Sequence, residues 1–158
     1  MTSHTITVQI DEPFEGKTEP AILRQAALAT LQNQNISESC ELSIVISGDE
    51  TLRELNERHR KVDTPTDVLA FQNETRGPFV NAPGLPHYLG DVIISFERAS
   101  AQAEEASHSV RAELQLLVIH GTLHLLGYDD TQPEKRAQMW AAQSDVIDAL
   151  GISVTVPK

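Results

Sequence analysis

Aromatic residues, cysteine and long apolar runs are scarce in this chain, and each scarcity narrows what the protein can be. Phe, Trp and Tyr make up 4% of the 158 residues, so one core has to be built mainly from aliphatic side chains. The single cysteine, Cys40, cannot form an internal disulfide and fits a reducing compartment. The longest strictly apolar stretches, such as residues 116–119, are too short to cross a membrane. The first residues lack the basic and apolar pattern of a signal peptide, so we expect a soluble cytoplasmic domain.

Basic residues are also few, with 12 Lys and Arg against 23 Asp and Glu, and the formal net charge is −11. This balance argues against a general nucleic-acid-binding protein, because phosphate binding draws on clustered Lys and Arg. The acidic excess disappears between residues 53 and 76, where the two signs are equal in number. The sequence RHRK at positions 58–61 is the best candidate for handling phosphate, although a solvated helix end explains the same charges equally well.

The hydrophobic pattern predicts one α+β domain over residues 1–158, with a mixed sheet of about four strands packed with about five helices. Strands are predicted at residues 4–10, 41–47, 66–71 and 89–95. Helices are predicted at residues 18–33, 49–60, 95–107, 109–126 and from 131 to about 150. Asp49 is the expected cap of the second helix, and a capping box from Thr131 to Glu134 is expected to open the last one.

Two of these segments have a bearing on function. The helix at 109–126 is apolar nearly all round towards its end, so we expect it to be the buried central helix. The loop at 72–88 is long for a compact domain, and we expect it to border a functional cleft. Its His87 is a metal-capable side chain but a poor candidate ligand.

The stretch HGTLHLLGYDD, residues 120–130, carries the strongest chemical signal. On a helix, His120 and His124 lie about 40° apart and roughly 6 Å along the axis, so both imidazoles can converge on one ion. Burying two imidazoles among leucines without strong partners would cost roughly a few kcal/mol. A metal site is therefore a better interpretation than two hydrogen-bonded core histidines.

Gly127 extends this pattern to a third ligand. A glycine here can end the helix in a left-handed conformation and return residues 128–130 towards the ion. The spacing is typical of metzincin zinc proteases, in which the residue after the first histidine is a catalytic glutamate. Here that residue is Gly121, so we expect a hydrolytic metal site without the protease base.

The motif resembles the HGxLHLxGYDH signature of the YbeY family, bacterial endoribonucleases and ribosomal-RNA maturation factors. Further blocks resemble the family in the same order, namely LNERHR at 55–60, TPTDVLAF at 64–71 and LGDVIIS at 89–95. The resemblance implies a zinc-dependent endoribonuclease that cuts single-stranded ribosomal RNA, matures the 3′ end of the small-subunit RNA and takes part in ribosome quality control. It also implies association with the small subunit and its proteins, and no membrane.

The resemblance carries roles to individual residues. His120 and His124 match the first two metal ligands, with His120 also in the catalytic set, and Arg60 matches a functionally important arginine. A plainer interpretation of Arg60 is a cation at a helix C-terminus, where the macrodipole favours it. Structural or cleft-lining positions of the family are matched by Asn56, Thr66, Asp67, Gly90 and Asp91. Asp129 is a candidate to orient an imidazole N–H, or else a solvated turn carboxylate.

The chain also departs from the family pattern. Asp130 stands where the third histidine ligand is expected, Ala70 replaces a usual Ser, Gln72 a usual Pro, and His59 a common aromatic. We expect Asp130 to bind one zinc ion per chain directly; otherwise it acts through water or caps the last helix. A site of two histidines and one carboxylate makes another divalent ion more acceptable.

Two alternatives stay open. The first is a metal-bound, non-catalytic ribosome-assembly factor, which Asp130 and the acidic surface favour. The second is another metal-dependent hydrolase, acting on a peptide or a small molecule. Gly121, at the position of the protease base, argues against a peptidase but not against the other substrates.

Overall fold

The computed structural model describes residues 3–64, 66–73 and 86–154, and within them the chain forms four strands, five α-helices and one 3₁₀ turn. The strands are β1 (Thr5–Ile10), β2 (Cys40–Ser47), β3 (Val68–Gln72) and β4 (His87–Ser95). The helices are α1 (Pro20–Asn33), α2 (Asp49–Arg60), α3 (Phe96–Ala106), α4 (Val110–Leu125) and α5 (Pro133–Leu150). The 3₁₀ turn is Glu12–Phe14. The predicted α+β fold class is confirmed.

The four strands form one mixed sheet in the order β1-β2-β4-β3. β1 pairs with β2 and β2 with β4 in parallel, while β3 pairs antiparallel with β4. β3 is therefore an edge strand, and Phe71 lies opposite Asp91 in its register. Of the predicted loop at 72–88, residues 74–85 lie outside the described residues.

Helix α4 is the central helix of the fold. Twelve of its sixteen residues are buried, and it packs against α1, α3, α5, β3 and β4. The core around it is aliphatic, as the scarcity of aromatic residues requires. The predicted buried helix that carries both histidines is confirmed. No helix of the described residues is long and apolar enough to span a membrane.

Two predicted helix caps are wrong, although α2 has the predicted bounds. Gly48 is the N-cap of α2, and the carboxylate of Asp49 accepts a hydrogen bond from Ser95 Oγ at 2.6 Å instead. α5 begins at Pro133, after the N-cap Gln132, without a capping box. The Thr131 hydroxyl and backbone N–H both donate to Asp129, at 2.9 and 2.8 Å. In each case the side chain that the capping pattern requires is engaged in a hydrogen bond with another residue, Ser95 for Asp49 and Asp129 for Thr131.

Gly90 occupies a position that only glycine can fill. Its φ is +141°, and a Cβ built on it would lie 2.1 Å from the carbonyl oxygen of Phe71. Gly16 also has a positive φ, +81°, but a Cβ there would meet no atom within 4 Å. An alanine at Gly16 would therefore cost stability through backbone conformation alone, whereas an alanine at Gly90 would add a steric collision.

We expect Gly90→Ala to lower the free energy of unfolding by about 3 kcal/mol or more, because strain and collision add. Gly16→Ala, the matched control, should cost only about 1–2 kcal/mol. Urea denaturation of the three proteins measures both effects. Equal losses for the two variants would contradict the collision with Phe71.

Candidate metal centre

Three side chains converge at the end of α4. The Nε2 atoms of His120 and His124 are 3.2 Å apart, and Oδ2 of Asp130 lies 3.7 and 3.8 Å from them. All three ligand atoms lie within 4.8 Å of one another. The imidazoles are mostly buried and the carboxylate is 40% exposed, so the group opens to solvent on the side of Asp130.

The turn after α4 brings Asp130 to the histidines. Gly127 has a φ of +101°, as the sequence predicts, and its N–H donates to the carbonyl of His124. The N–H of Tyr128 then donates to the carbonyl of Leu123, at 3.1 Å. This pair of bonds is the Schellman arrangement that ends a helix and reverses the chain. Downstream, Arg136 Nε donates to the carbonyl of Asp130 at 3.0 Å.

Both imidazoles have their other nitrogen engaged. His124 Nδ1 lies 2.9 Å from the carbonyl oxygen of Tyr128, which can only accept, so this nitrogen carries the proton. His120 Nδ1 lies 3.0 Å from Oε1 of Gln143 on α5, a side chain that is 4% exposed. Each Nε2 is therefore left with a lone pair that faces the site.

The donor set fits a divalent cation. Two imidazole lone pairs and a carboxylate oxygen face one another. All three are acceptors, and a cation between them would stabilise this arrangement. Separations of 3.2, 3.7 and 3.8 Å put the three atoms on a circle of radius about 2.1 Å, which matches zinc–nitrogen and zinc–oxygen distances of about 2.0–2.2 Å. Burial, and then the neighbouring His124, lower the pKa of His120, which favours the neutral form that binds metal.

Gly121 has a structural role at the position of the protease base. A Cβ built on it would lie 2.6 Å from Cγ1 of Val92 on β4. A larger residue would collide with Val92, so a glutamate cannot be accommodated here without a shift of the Val92 side chain or of the helix. The expectation of a metal site without the protease base therefore has a packing explanation.

The group lies in a cleft with a cavity of about 640 Å³. Arg60, from the C-terminal end of α2, lines the same cleft as His120, His124 and Asp130. The rest of the lining comes mostly from β3 and from the turn after α4. The structure thus brings Arg60 to the same cavity as the predicted ligands, although α2 and α4 are far apart in the sequence.

Asp67 also lines the cleft, and hydrogen bonds hold its carboxylate from two sides. Oδ1 accepts from its neighbour Val68 N at 2.8 Å, and Oδ2 lies 3.3 Å from Nε2 of Gln102. Gln102 also donates to the buried carboxylate of Glu113, at 2.9 Å, which contacts His108 at 2.6 Å. A partly buried chain of hydrogen bonds thus runs from Glu113 on α4 through Gln102 to Asp67 at the cleft and orients the Asp67 carboxylate.

Three predicted site residues have other contacts. Asn56 is buried and its side-chain amide donates to the carbonyl of Thr64, at 3.0 Å, so it holds the segment after α2. Asp91 accepts a short hydrogen bond from Tyr88 and does not line the described cleft. Asp129 lines the cleft, but its carboxylate contacts Thr131 rather than an imidazole, and these bonds lower the pKa of Asp129. His87 is outside the group of possible metal ligands among the described residues.

Gln143 is the site residue that the sequence did not reveal. It lies on α5 among buried residues such as Met139, Ala142 and Val146. The available signal was one amide on an otherwise apolar helix face, and that signal does not identify its partner. Only the packing of α5 against α4 places Gln143 beside His120.

An α+β domain with two partly buried histidines and a carboxylate at the mouth of a cleft has the features of metal-dependent proteins whose ion is open to solvent. The family model described as Endoribonuclease YbeY matches residues 6–151, and the chain belongs to the YbeY family.

The relatives agree over nearly the whole chain. A Roseiflexus protein named Endoribonuclease YbeY is 42% identical over 154 residues, which cover 96% of both chains. Proteins of the same name are 43% identical in Chloroflexus aurantiacus, over 94% of this chain and 97% of the relative, and 41% in Bacillus mycoides, over 90% and 94%. A solution structure of a Thermotoga maritima protein shares the fold, with a TM-score of 0.58 and 21% identity over 93% of this chain and 92% of that one.

We expect Gln143→Leu to weaken metal binding about 10- to 100-fold, because His120 loses the acceptor that orients its ring. Gln143→Glu keeps an oxygen at the same place and should bind metal at least as tightly as the wild type. Titration of metal-free protein with zinc in a competing chelator measures the affinities. Equal affinities for the Leu variant and the wild type, with both folded, would contradict the role of Gln143.

Proposed function

We propose that the protein is a zinc-dependent endoribonuclease that cuts single-stranded ribosomal RNA, including the 3′ end of the small-subunit RNA, and that it serves ribosome quality control. The observation that carries the proposal is the open group of His120, His124 and Asp130 in one cleft with Arg60. The names of the relatives in the family support an endoribonuclease, and three protein ligands support an ion with a free coordination position.

The three ligands, Arg60 and Gly121 each have a part in this proposal. Zinc, when bound by the three ligands, supplies Lewis acidity towards a phosphoryl oxygen and lowers the pKa of water. Arg60 has a planar guanidinium that can form two hydrogen bonds with a phosphate and neutralise the charge that develops on it. Gly121 provides no base, which leaves water or the neighbouring 2′-hydroxyl of the RNA as the source of the nucleophile.

The acidic charge of the protein affects how it reaches its RNA substrate. A net charge of −11 opposes binding to bulk RNA, and affinity for free RNA should fall as salt rises. We therefore propose that contacts with the small subunit and its proteins direct the enzyme to its site. A cytoplasmic location, expected from the single cysteine, stays a prediction.

Substitution of Asp130 tests whether this carboxylate binds the ion directly. We expect about one zinc per chain in the purified wild type, and loss of zinc in Asp130→Ala, because a two-histidine site lacks a third ligand. Asp130→His, the control that restores the family pattern, should keep zinc. Elemental analysis of the three proteins tests this. An empty wild type beside a filled Asp130→His would contradict direct ligation by Asp130.

Arg60→Ala should lower the rate of single-stranded RNA cleavage at least 100-fold, since the developing phosphate charge loses its partner. The same variant should retain the zinc of the wild type. Arg58→Ala, the matched control on the same helix, removes an equal charge outside the cleft lining. Loss of zinc in Arg60→Ala would instead assign Arg60 to the support of the metal site.

One alternative has a specific observation in its favour. The carboxylate at position 130 reduces the net positive charge of the metal site and weakens its polarising effect, which suits a metal-bound ribosome-assembly factor without nuclease activity. Another metal-dependent hydrolase is the remaining option. Zinc-replete wild type that binds small subunits but cleaves no RNA, with His120→Ala behaving identically, would favour the assembly factor.

A further inference from the structure

We propose that Phe71, with the ring of His59 beside it, forms a stacking surface for one unpaired nucleobase of the RNA in the cleft. This inference rests on the proposed endoribonuclease function and deepens it, because it names the feature of the RNA that is recognised next to the scissile phosphate.

Phe71 is one of the large apolar side chains of a cleft that is also lined by charged and polar groups. It lines the same cavity as His120, His124 and Arg60. Its neighbours on β3, Val68 and Ala70, pack against the hydrophobic core, but within the described part of the chain Phe71 is not among the residues that do so. An aromatic ring that is partly exposed at the cleft, and not used by the core, is available to a ligand.

His59 adds a second ring to the same surface. Its imidazole lies 4.8 Å from the ring of Phe71, centroid to centroid, at an interplanar angle of 53°. The tilt leaves part of the phenyl face uncovered. His59 is exposed and directly precedes Arg60 at the end of α2. Phe71 and Arg60, the side chain proposed to hold the phosphate, therefore line one cavity, and His59 lies against Phe71.

The backbone holds Phe71 in a fixed place. Phe71 pairs with Asp91 in the β3–β4 ladder, and its carbonyl is in close contact with Gly90. The next residue, Gln72, donates from its side chain to the carbonyl of His124, at 3.2 Å. The backbone at Phe71 is thus paired with β4, and the next residue is bonded to the end of α4, so a ligand that stacks on the ring meets a backbone that is already ordered.

The chemistry of the surface identifies the ligand group. Sugar and phosphate are polar, so the flat apolar faces of single-stranded RNA belong to its bases, which stack on aromatic side chains. In a duplex those faces are covered by neighbouring base pairs. Every base has such a face, so stacking selects single strands and tolerates different sequences.

Cleavage kinetics with zinc-loaded protein test the subsite. We expect Phe71→Leu to raise KM for a ten-nucleotide single-stranded RNA about tenfold, with kcat within about twofold. Phe71→Tyr keeps a ring and should retain the wild-type KM. Phe14→Leu is the matched control, because Phe14 also pairs with another ring, Phe96, at 5.4 Å, but lies outside the cleft lining.

Substrates with one abasic nucleotide, placed at each position in turn, assign the contact to a base. One position should raise the KM of the wild type about tenfold and leave the already raised KM of Phe71→Leu unchanged. If Phe71→Leu does not fold, as judged by thermal unfolding, the same scan with His59→Ala decides. That variant should have a raised KM, and the abasic nucleotide at the same position should raise it less than it raises the KM of the wild type.

The outcomes separate this inference from the function it rests on. A wild type that does not cleave RNA contradicts the proposed function. A wild type that cleaves, with KM unchanged in Phe71→Leu and His59→Ala, leaves the function standing and overturns the subsite. Additive effects of Phe71→Leu and every abasic position also overturn it, since the ring would then contact no base.

Discussion

The close approach of α4 to β4, at Gly121 and Val92, is the contact on which the rest of the site depends. Because Gly121 has no side chain, the helix lies directly on the sheet. His120, next to it, is then held within reach of Gln143 on α5, and His124 one turn later faces the cleft. If a bulkier residue displaced the helix rather than Val92, both imidazoles would move with it, so the packing at Gly121 also bears on the geometry of the metal site.

Much of the candidate site could be predicted from local sequence patterns. The spacing of His120 and His124 follows from the helical repeat, and Gly127 signals the turn, so both the convergence and the chain reversal could be predicted. These features depend on residues within one or two turns of each other. The fold class followed in the same way from apolar periodicity, which reports directly on which faces are buried.

Contacts between distant segments could not be predicted in the same way. Gln143 meets His120 because two helices pack together, and no local pattern encodes that pairing. The failed caps have a related cause: Asp49 could cap its own helix, but Ser95, from the end of another strand, takes its carboxylate. For Asp129 a local contact prevails over a distant one. Its carboxylate bonds to Thr131, two residues away, rather than to an imidazole.

Gln72 gives the metal site a mechanical link to the edge of the sheet. Its amide donates to the last carbonyls of α4, at His124 and Leu125, while the preceding residue, Phe71, lies on the other face of β3. The edge strand is therefore bonded to the end of α4 through one residue and presents Phe71 through the preceding one. The resemblance to the family pattern implies proline as the usual residue at this position, and a proline, which has no side-chain donor, would lack both of these hydrogen bonds.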